Sequence, residues 1–448
     1  MEVIVKIKLK FFCILIPLFF FLAFLFGAGR TEAVLTDINK VSKKDIITKV
    51  LERIRLEDCV EMTQTLVKIP SQYSENSIVE HNEIADFLAS YLKKLGMIVK
   101  KLEYEEGFPM IVGRLKSQKN TPILALMGHY NTVPIGSVDK WMSDPLQPEI
   151  RDGKLFGRGA YDQKSSIAAA LIATHAIVES GILLEGELMH TFIPGEGAQD
   201  HVLKHAAEVN PKEIFADWYL DTDGGRDIIK VASGHVWLKI QVRGKSAHPG
   251  GDDPWINAGY KLAKVLLAFK DFNNWMTYKK HPLFTGLGGV PRVEVGYIRA
   301  GEVVNKIPDI AEALIDIRPN PGQTYEGIMK EIHALLDRLK KQDPELNITV
   351  EKMPGTQLVP MEYWNKINTD DALIKTIREV AEKRLGYTPK FKGGRGGGRP
   401  DLWRIGTKWI SWSPTEGENK HAPNECVKID SVFRTAQVYA EIILQMLL

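Results

Sequence analysis

The chain is poor in cysteine and has no strong excess of charge of either sign. Three cysteines occur in 448 residues, and none of them forms a Cys-x-x-Cys pair, which argues against a disulfide framework and a thiolate zinc site. The sequence leaves open whether Cys59 and Cys426 form a single disulfide bridge. The net charge of +2 lacks the basic excess that is typical of nucleic-acid-binding proteins. The length and the ordinary hydrophobic content of 44% indicate a globular protein of two domains.

A long apolar run lies at the N-terminus. Basic residues precede the run Phe11–Ala28, and small residues stand at its end. This order is typical of a secretory signal, although the run is also just long enough to span a membrane. We therefore expect residues 1–33 to be a cleaved signal peptide or an uncleaved membrane anchor, and the protein to be secreted or periplasmic.

Strand-like and helical segments alternate along the rest of the chain. The run ILALMGH (123–129) is typical of a buried strand and SSIAAALIATHAIVES (165–180) of a helix, and such alternation predicts an α/β layer with a mostly parallel sheet. From Val231 the order becomes β-α-β-β-α-β, that of a ferredoxin-like α+β unit. We predict an α/β domain over 40–232 and 354–448, with the ferredoxin-like domain inserted over 233–353. Other predicted elements are one helix over about 44–68 and strands over 187–193, 213–221 and 408–413.

Residues that can bind metals stand near the ends of predicted strands. These residues are His129 after ILALMG, Asp162 in GRGAYD, Glu196 after ELMHTFI, Asp223 after EIFADWYLD, and His421 beyond KWISWS. Each alone has a simpler explanation, such as a helix cap or a solvated loop. Ligands of open α/β sheets bind outside the carboxyl ends of the strands, so the joint placement predicts a metal site. Histidines with carboxylates suit zinc, and also cobalt or manganese.

The motifs around these residues resemble those of the metallopeptidase and deacylase family of carboxypeptidase G, aminoacylase and succinyl-diaminopimelate desuccinylase. The similar segments are GHYNTVP (128–134), WMSDPLQPEIRDGKLFGRGAYDQKSS (141–166), FIPGEG (192–197), WYLDTDGG (218–225), VRGKSAHPGG (242–251), VVNKIPDIAEALIDIRPNPG (303–322) and KHAPNE (420–425). The resemblance implies that the inserted domain is a lid and dimerisation domain. It also implies a homodimer that hydrolyses an amide, peptide or related C–N bond in a peptide or N-acyl amino acid.

The resemblance also implies roles for individual residues. His129 would bind one metal ion and His421 the other, Asp162 would bridge them, and Asp223 would be the acidic ligand after the next strand. His248 matches a lid histidine that reaches the active site of the partner subunit and polarises the substrate carbonyl. Asn305 resembles a lid residue that helps to hold the carboxylate of the substrate.

Two positions depart from the family pattern. Asn131 replaces an aspartate that orients the first histidine, so its amide would accept the imidazole hydrogen bond without adding negative charge, and metal affinity should weaken. The family has two adjacent glutamates, the general base and a metal ligand, where this chain has Gly195-Glu196-Gly197, so only one glutamate remains. In one register Glu196 is the base and only one metal site is complete. In the other register Glu196 is the ligand and the base is missing.

These departures leave alternatives to a conventional two-metal hydrolase. One is a non-catalytic binding protein on a degenerate hydrolase scaffold, and another is an unusual deaminase or deacylase with a single metal ion. The other ligand candidates and Glu196 are retained, which favours a hydrolase in which metal-activated water reacts and Glu196 is the general base.

Overall fold

The computed structural model describes residues 42–73, 81–195, 201–272, 284, 291–320, 322–354, 356–358, 368–394 and 398–448. The predicted signal or anchor segment (1–33) and Glu196 lie outside these residues. The described residues up to Lys49 belong to one unit and those from Val50 onwards to another. The sheets and the candidate site described below all belong to the second unit.

Helices and strands alternate along the described chain. The helices are α1 (Lys43–Leu51), α2 (Leu56–Lys68), α3 (Asn82–Lys94), α4 (Ser165–Glu179), α5 (His201–Val209), α6 (Pro211–Ile214), α7 (Ala258–Lys270), α8 (Tyr325–Gln342), α9 (Ala372–Leu385), α10 (Pro400–Arg404) and α11 (Ile429–Leu447). The strands are β1 (Ile98–Leu102), β2 (Met110–Leu115), β3 (Ile123–His129), β4 (Glu149–Arg151), β5 (Lys154–Phe156), β6 (Glu187–Ile193), β7 (Trp218–Asp221), β8 (Ile228–Ala232), β9 (Gly234–Arg243), β10 (Arg292–Ala300), β11 (Ile310–Arg318), β12 (Asn347–Lys352), β13 (Gln357–Leu358), β14 (Phe391–Gly394), β15 (Lys408–Ser411), β16 (Gly417–Glu418) and β17 (Cys426–Lys428). A short irregular helical turn, Ala160–Lys164, precedes α4.

The largest sheet has eight strands in the order β1-β2-β6-β3-β7-β15-β8-β14. Its centre, from β6 through β3 and β7 to β15, is parallel, whereas β1 and β2 pair antiparallel at one side. β3 is buried along nearly its whole length, as expected for a continuous apolar strand in a sheet that is covered on both faces. The helices α4 and α11 pack against each other and against β3. The predicted α/β layer with a mostly parallel sheet is confirmed.

A second sheet has the order β10-β11-β9-β12, and all of these pairs are antiparallel. The helices α7 and α8 fall between its strands in the order β9-α7-β10-β11-α8-β12, which confirms the predicted ferredoxin-like unit. Side chains of β9 alternate between buried and half-buried, because one face of the sheet packs against the helices in a core of its own. The chain passes from the large sheet to this one between Ala232 and Gly234.

A small antiparallel sheet, β16-β17-β5-β4, joins two distant parts of the chain. β17 pairs with β5. The loop that carries His421 runs from β16 to β17, and the segment that leads to Asp162 follows β5. This pairing therefore places the two predicted metal-binding segments side by side.

Two sequence predictions of secondary structure are wrong in detail. The helix expected over about 44–68 is broken between α1 and α2. Arg55 has an extended backbone conformation, with φ −110° and ψ 145°, so α2 starts as a separate helix with an acidic first turn, which its N-terminus favours. The strand expected over 213–221 is shorter, because Pro211 starts the helical turn α6 and the strand begins only at Trp218.

Two other points raised by the sequence concern the cysteines and the membrane. Cys59 and Cys426 are both buried and free, so the bridge between them that the sequence left open does not form. Among the helices of the described residues, none combines the length and the apolar character that crossing a membrane requires.

Candidate metal centre

His129, Asp162 and Asp223 come together at one end of the large sheet. His129 is the last residue of β3, and Asp223 lies two residues beyond the neighbouring parallel strand β7. Asp162 lies in the turn before α4. The Nε2 atom of His129 is 3.3 Å from Oδ1 of Asp162 and 3.8 Å from Oδ2 of Asp223. The structure thus brings together three residues that the sequence placed at separate strand ends.

The spacing of these atoms fits a zinc ion. Ligand atoms about 2.1 Å from a tetrahedral ion stand about 3.4 Å from one another. One ligand atom from each residue can be chosen so that all lie within 4.8 Å of one another. The side chains of His129 and Asp162 are 2% and 3% exposed, whereas that of Asp223 is 31% exposed. The set therefore offers one imidazole and two carboxylates, with its open side at Asp223.

The orientation of the His129 imidazole comes from the backbone. Its Nδ1 atom lies 2.9 Å from the carbonyl oxygen of Asn131, and because a carbonyl only accepts, Nδ1 carries the proton. Nε2 is then the unprotonated atom that faces the carboxylates, as a metal ligand must be. The sequence led us to expect the side-chain amide of Asn131 as the acceptor, and this expectation is wrong. The backbone carbonyl accepts the hydrogen bond, so the bond does not depend on an aspartate at this position.

His421 approaches the same carboxylate from the other side. Its Nε2 atom lies 2.7 Å from Oδ2 of Asp162, while Oδ1 faces His129. His421 has a φ of +64°, in the left-handed region that histidine, asparagine and aspartate adopt more often than most other residues with a side chain. The two oxygens of Asp162 therefore face two different histidines, the arrangement that a bridging carboxylate requires.

Lys420 is a residue of the site that the sequence analysis missed. Its Nζ atom lies 3.0 Å from Oδ1 of Asp162 and 3.1 Å from Oδ1 of Asp223. Burial alone would raise the pKa of Asp162, but the charge of Lys420 and the two neighbouring histidines hold it well below its usual value. The only signal in the sequence was the position of Lys420 directly before His421.

Glu425 is a second such residue, and it organises the backbone on which Asp162 lies. Its buried carboxylate accepts hydrogen bonds from the backbone N–H groups of Gly159, Tyr161 and Asp162 at 3.1, 3.0 and 2.8 Å. It also pairs with the buried guanidinium of Arg158 at 2.6 Å. Glu425 belongs to the motif KHAPNE, and its place within that motif was the signal available before the structure was known.

The predicted general base follows a segment that lies beside His129. β6 is parallel to β3, and its last residue, Ile193, pairs with His129. The next glycine, Gly195, is so close that a Cβ atom placed on it would be 3.2 Å from the Cβ of His129. Glu196 itself lies outside the described residues, so its role stays a prediction.

The two predicted lid residues lie on exposed loops of the ferredoxin-like unit. The backbone N–H of Gly250 donates to Nδ1 of His248 at 3.1 Å. Nδ1 is therefore an acceptor, and Nε2 is the atom that can donate to a carbonyl. Among the contacts of the described residues, none joins His248 or Asn305 to the metal ligands.

The chain is similar in sequence to proteins of a known family. The model of peptidase family M20/M25/M40 matches residues 125–445. A deformylase of N-formyl-4-amino-5-aminomethyl-2-methylpyrimidine from Bacillus subtilis is 24% identical over 412 residues, 87% of this chain and 94% of that protein. Succinyl-diaminopimelate desuccinylase from Wolbachia pipientis is 26% identical over 405 residues, 86% of this chain and 92% of that protein.

Solved structures share the fold. Human carnosine dipeptidase 1 superimposes with a TM-score of 0.71 at 17% identity, covering 89% of this chain and 99% of that one. The dipeptidase Dug1p from Saccharomyces cerevisiae gives a TM-score of 0.74 at 15% identity, covering 89% of this chain and 98% of that one. With the match of the family model, these likenesses lead to one conclusion: the chain belongs to peptidase family M20/M25/M40 and is a metal-dependent hydrolase of amide or peptide bonds.

Proposed function

We propose that this protein is a zinc hydrolase that cleaves short peptides or N-acyl amino acids, with Glu196 as general base. The proposal is carried by the convergence of His129, Asp162 and Asp223. The Nε2 atom of His129 lies 3.3 Å from a carboxylate oxygen of Asp162 and 3.8 Å from one of Asp223. The similar proteins include a desuccinylase and a deformylase, which remove acyl groups from nitrogen. Cobalt or manganese would suit the same ligands.

The metal ligands and Glu196 have different roles in the proposed hydrolysis. A zinc ion held by these ligands would acidify a bound water molecule and polarise the carbonyl of the substrate. Glu196 accepts the proton of that water and delivers it to the departing nitrogen. The buried Asp162 and His129 keep bulk water away from one side of the centre, and the open side at Asp223 admits the substrate.

The ferredoxin-like unit supplies substrate contacts in this proposal. His248 donates from Nε2 to the carbonyl being attacked, and Asn305 holds the carboxylate of the substrate. We propose that both act on the site of the partner subunit in a homodimer, because the site described in one chain includes neither side chain. We also propose that residues 1–33 direct the protein out of the cytoplasm, as a cleaved signal or as a membrane anchor.

The ligand set favours one tightly bound metal ion per chain. The ion at His129, Asp162 and Asp223 has three protein ligands, which is the usual number for a catalytic zinc. An ion at His421 would share Asp162 and would lack the ligand that Gly197 replaces. Purified protein should therefore retain about one equivalent of zinc after dialysis. Retention of two equivalents would contradict this part of the proposal.

Replacing Glu196 tests the function directly. Hydrolysis of dipeptides and of N-formyl, N-acetyl and N-succinyl amino acids is first screened with the zinc-loaded protein. For the best substrate, Glu196→Gln should lower kcat by at least about 100-fold while the zinc content stays unchanged. Glu185→Gln is the control, since this exposed carboxylate pairs with Lys119 away from the site. Loss of zinc in Glu196→Gln would show that Glu196 is a ligand instead, and unchanged kcat would overturn its role as base.

A further inference from the structure

Lys420 places an ammonium group on the two carboxylates that the metal ion needs. Its Nζ lies 3.0 Å from Oδ1 of Asp162, the same oxygen that faces His129, and 3.1 Å from Oδ1 of Asp223. An ion bound to His129 and Asp162 would share Oδ1 with this ammonium. Two cations on one carboxylate oxygen repel each other, so both contacts cannot be kept at full strength.

The burial of the partners shows which group gives way. Asp162 is 3% exposed, and its backbone N–H is fixed by Glu425, so the carboxylate stays where it is. The side chain of Lys420 is 46% exposed, and its flexible stem lets the ammonium turn into water at little cost. Lys420 thus offsets part of the negative charge of the two carboxylates and is exposed enough to leave them.

We propose that Lys420 is a tethered cation that competes with the metal ion for Asp162 and Asp223 and thereby weakens metal binding by this centre. The inference rests on the proposed metal site and deepens it, because it names the residue that regulates metal occupancy. Lys420 would then set how tightly His129, Asp162 and Asp223 hold the ion, because binding of the ion must displace the ammonium.

Zinc titration of the full chain, stripped with a chelator and competed against a chromophoric chelator, tests the proposal. Lys420→Met removes the charge and keeps most of the stem, so the zinc Kd should fall about 10- to 100-fold. Lys420→Arg keeps the charge and should stay within about threefold of wild type. Lys428→Met is the matched control, because that half-exposed lysine pairs with Glu416 at 2.7 Å, away from the ligands, and it should leave Kd unchanged.

Each outcome decides the question. An unchanged or higher Kd in Lys420→Met overturns the proposal, and Lys420→Gln repeats the test if the methionine variant does not fold. A zinc-loaded crystal structure of the wild type should show Nζ displaced from Oδ1 of Asp162, and retention of the 3.0 Å contact would also overturn it. If neither wild type nor Lys420→Met binds zinc, the proposed function falls together with this inference, whereas equal affinities remove this inference alone.

Discussion

Glu425 shows how much of the site depends on a residue that touches neither metal nor substrate. Its carboxylate is 1% exposed, as its partner Arg158 is 2% exposed, and it holds three backbone N–H groups of the segment that ends at Asp162. Removal of one member of a buried ion pair leaves an uncompensated charge and costs about 3–5 kcal/mol. The same change frees the backbone that positions the bridging carboxylate.

Glu425→Gln should therefore lower the free energy of unfolding by about 3 kcal/mol and also weaken zinc binding. Urea unfolding and zinc titration measure the two effects. Glu418→Gln, in the same small sheet, removes an exposed carboxylate that pairs with Lys154 at 2.8 Å, and it should leave the unfolding midpoint and zinc affinity unchanged. A Glu425→Gln protein as stable as wild type would refute the anchoring role.

At the scale of secondary-structure elements, one carboxylate connects a helix to two strands. Asp371 caps α9 by accepting the N–H of Leu373 at 3.0 Å. It also accepts hydrogen bonds from the indole N–H of Trp218 on β7 at 2.9 Å and from the ammonium of Lys408 on β15 at 2.7 Å. β7 pairs with β3 on one side and with β15 on the other, so the cap helps to fix the sheet whose far ends carry the site.

Asp371→Ala should destabilise the protein by about 2–3 kcal/mol, since it removes a helix cap and two further hydrogen bonds, one of them to a charged group. The urea midpoint measures the loss. Asp370→Ala is the control, because its 75% exposed side chain reaches only Lys375 at 3.9 Å, and it should behave as wild type. Equal midpoints for the two variants would contradict the capping role.

For the whole molecule, a buried histidine on β6 makes stability depend on pH. Burial lowers the pKa of His190 from 6.5 to about 3, so the folded protein binds fewer protons than the unfolded chain between these values. Stability is therefore complete above pH 6.5 and is lost as pH falls towards 3, by about 2 kcal/mol between pH 7 and pH 5. Urea midpoints at the two pH values should differ less in His190→Gln than in wild type. His333→Gln, at an exposed position of α8, should keep the wild-type difference, and an equally steep loss in His190→Gln would overturn the assignment.

The proposed dimer makes a prediction that no single chain can test. Glu196→Gln and His248→Ala should each be nearly inactive, because each removes one half of a site that two subunits share. Dissociated and reassociated in equal amounts, they should recover about a quarter of the wild-type activity, since half of the dimers are mixed and each mixed dimer contains one intact site. Each variant treated alone is the control. Failure to recover activity in dimers shown to be mixed would indicate that His248 does not act across subunits.

The sequence by itself determined the periodic parts of this protein and the places where its strands end. A continuous apolar run predicted β3, because a strand covered on both faces excludes most polar side chains, and the order of strands and helices predicted the ferredoxin-like unit. Strand ends also located His129 and Asp223, since parallel strands finish at a common edge. The local pattern missed the break after Leu51, where the backbone of Arg55 is extended.

Only the tertiary structure decided which residues position the metal ligands and which positive charge lies beside the two carboxylates. The backbone carbonyl of Asn131 orients His129, Glu425 fixes the Asp162 segment, and the ammonium of Lys420 contacts both carboxylates. None of these contacts has a sequence pattern, because each depends on the pairing of β17 with β5 or on the conformation of a loop. The metal affinity of the site depends on contacts of about 3 Å between residues that are far apart in the chain, such as Lys420 and Asp162. Only the folded structure brings these residues together.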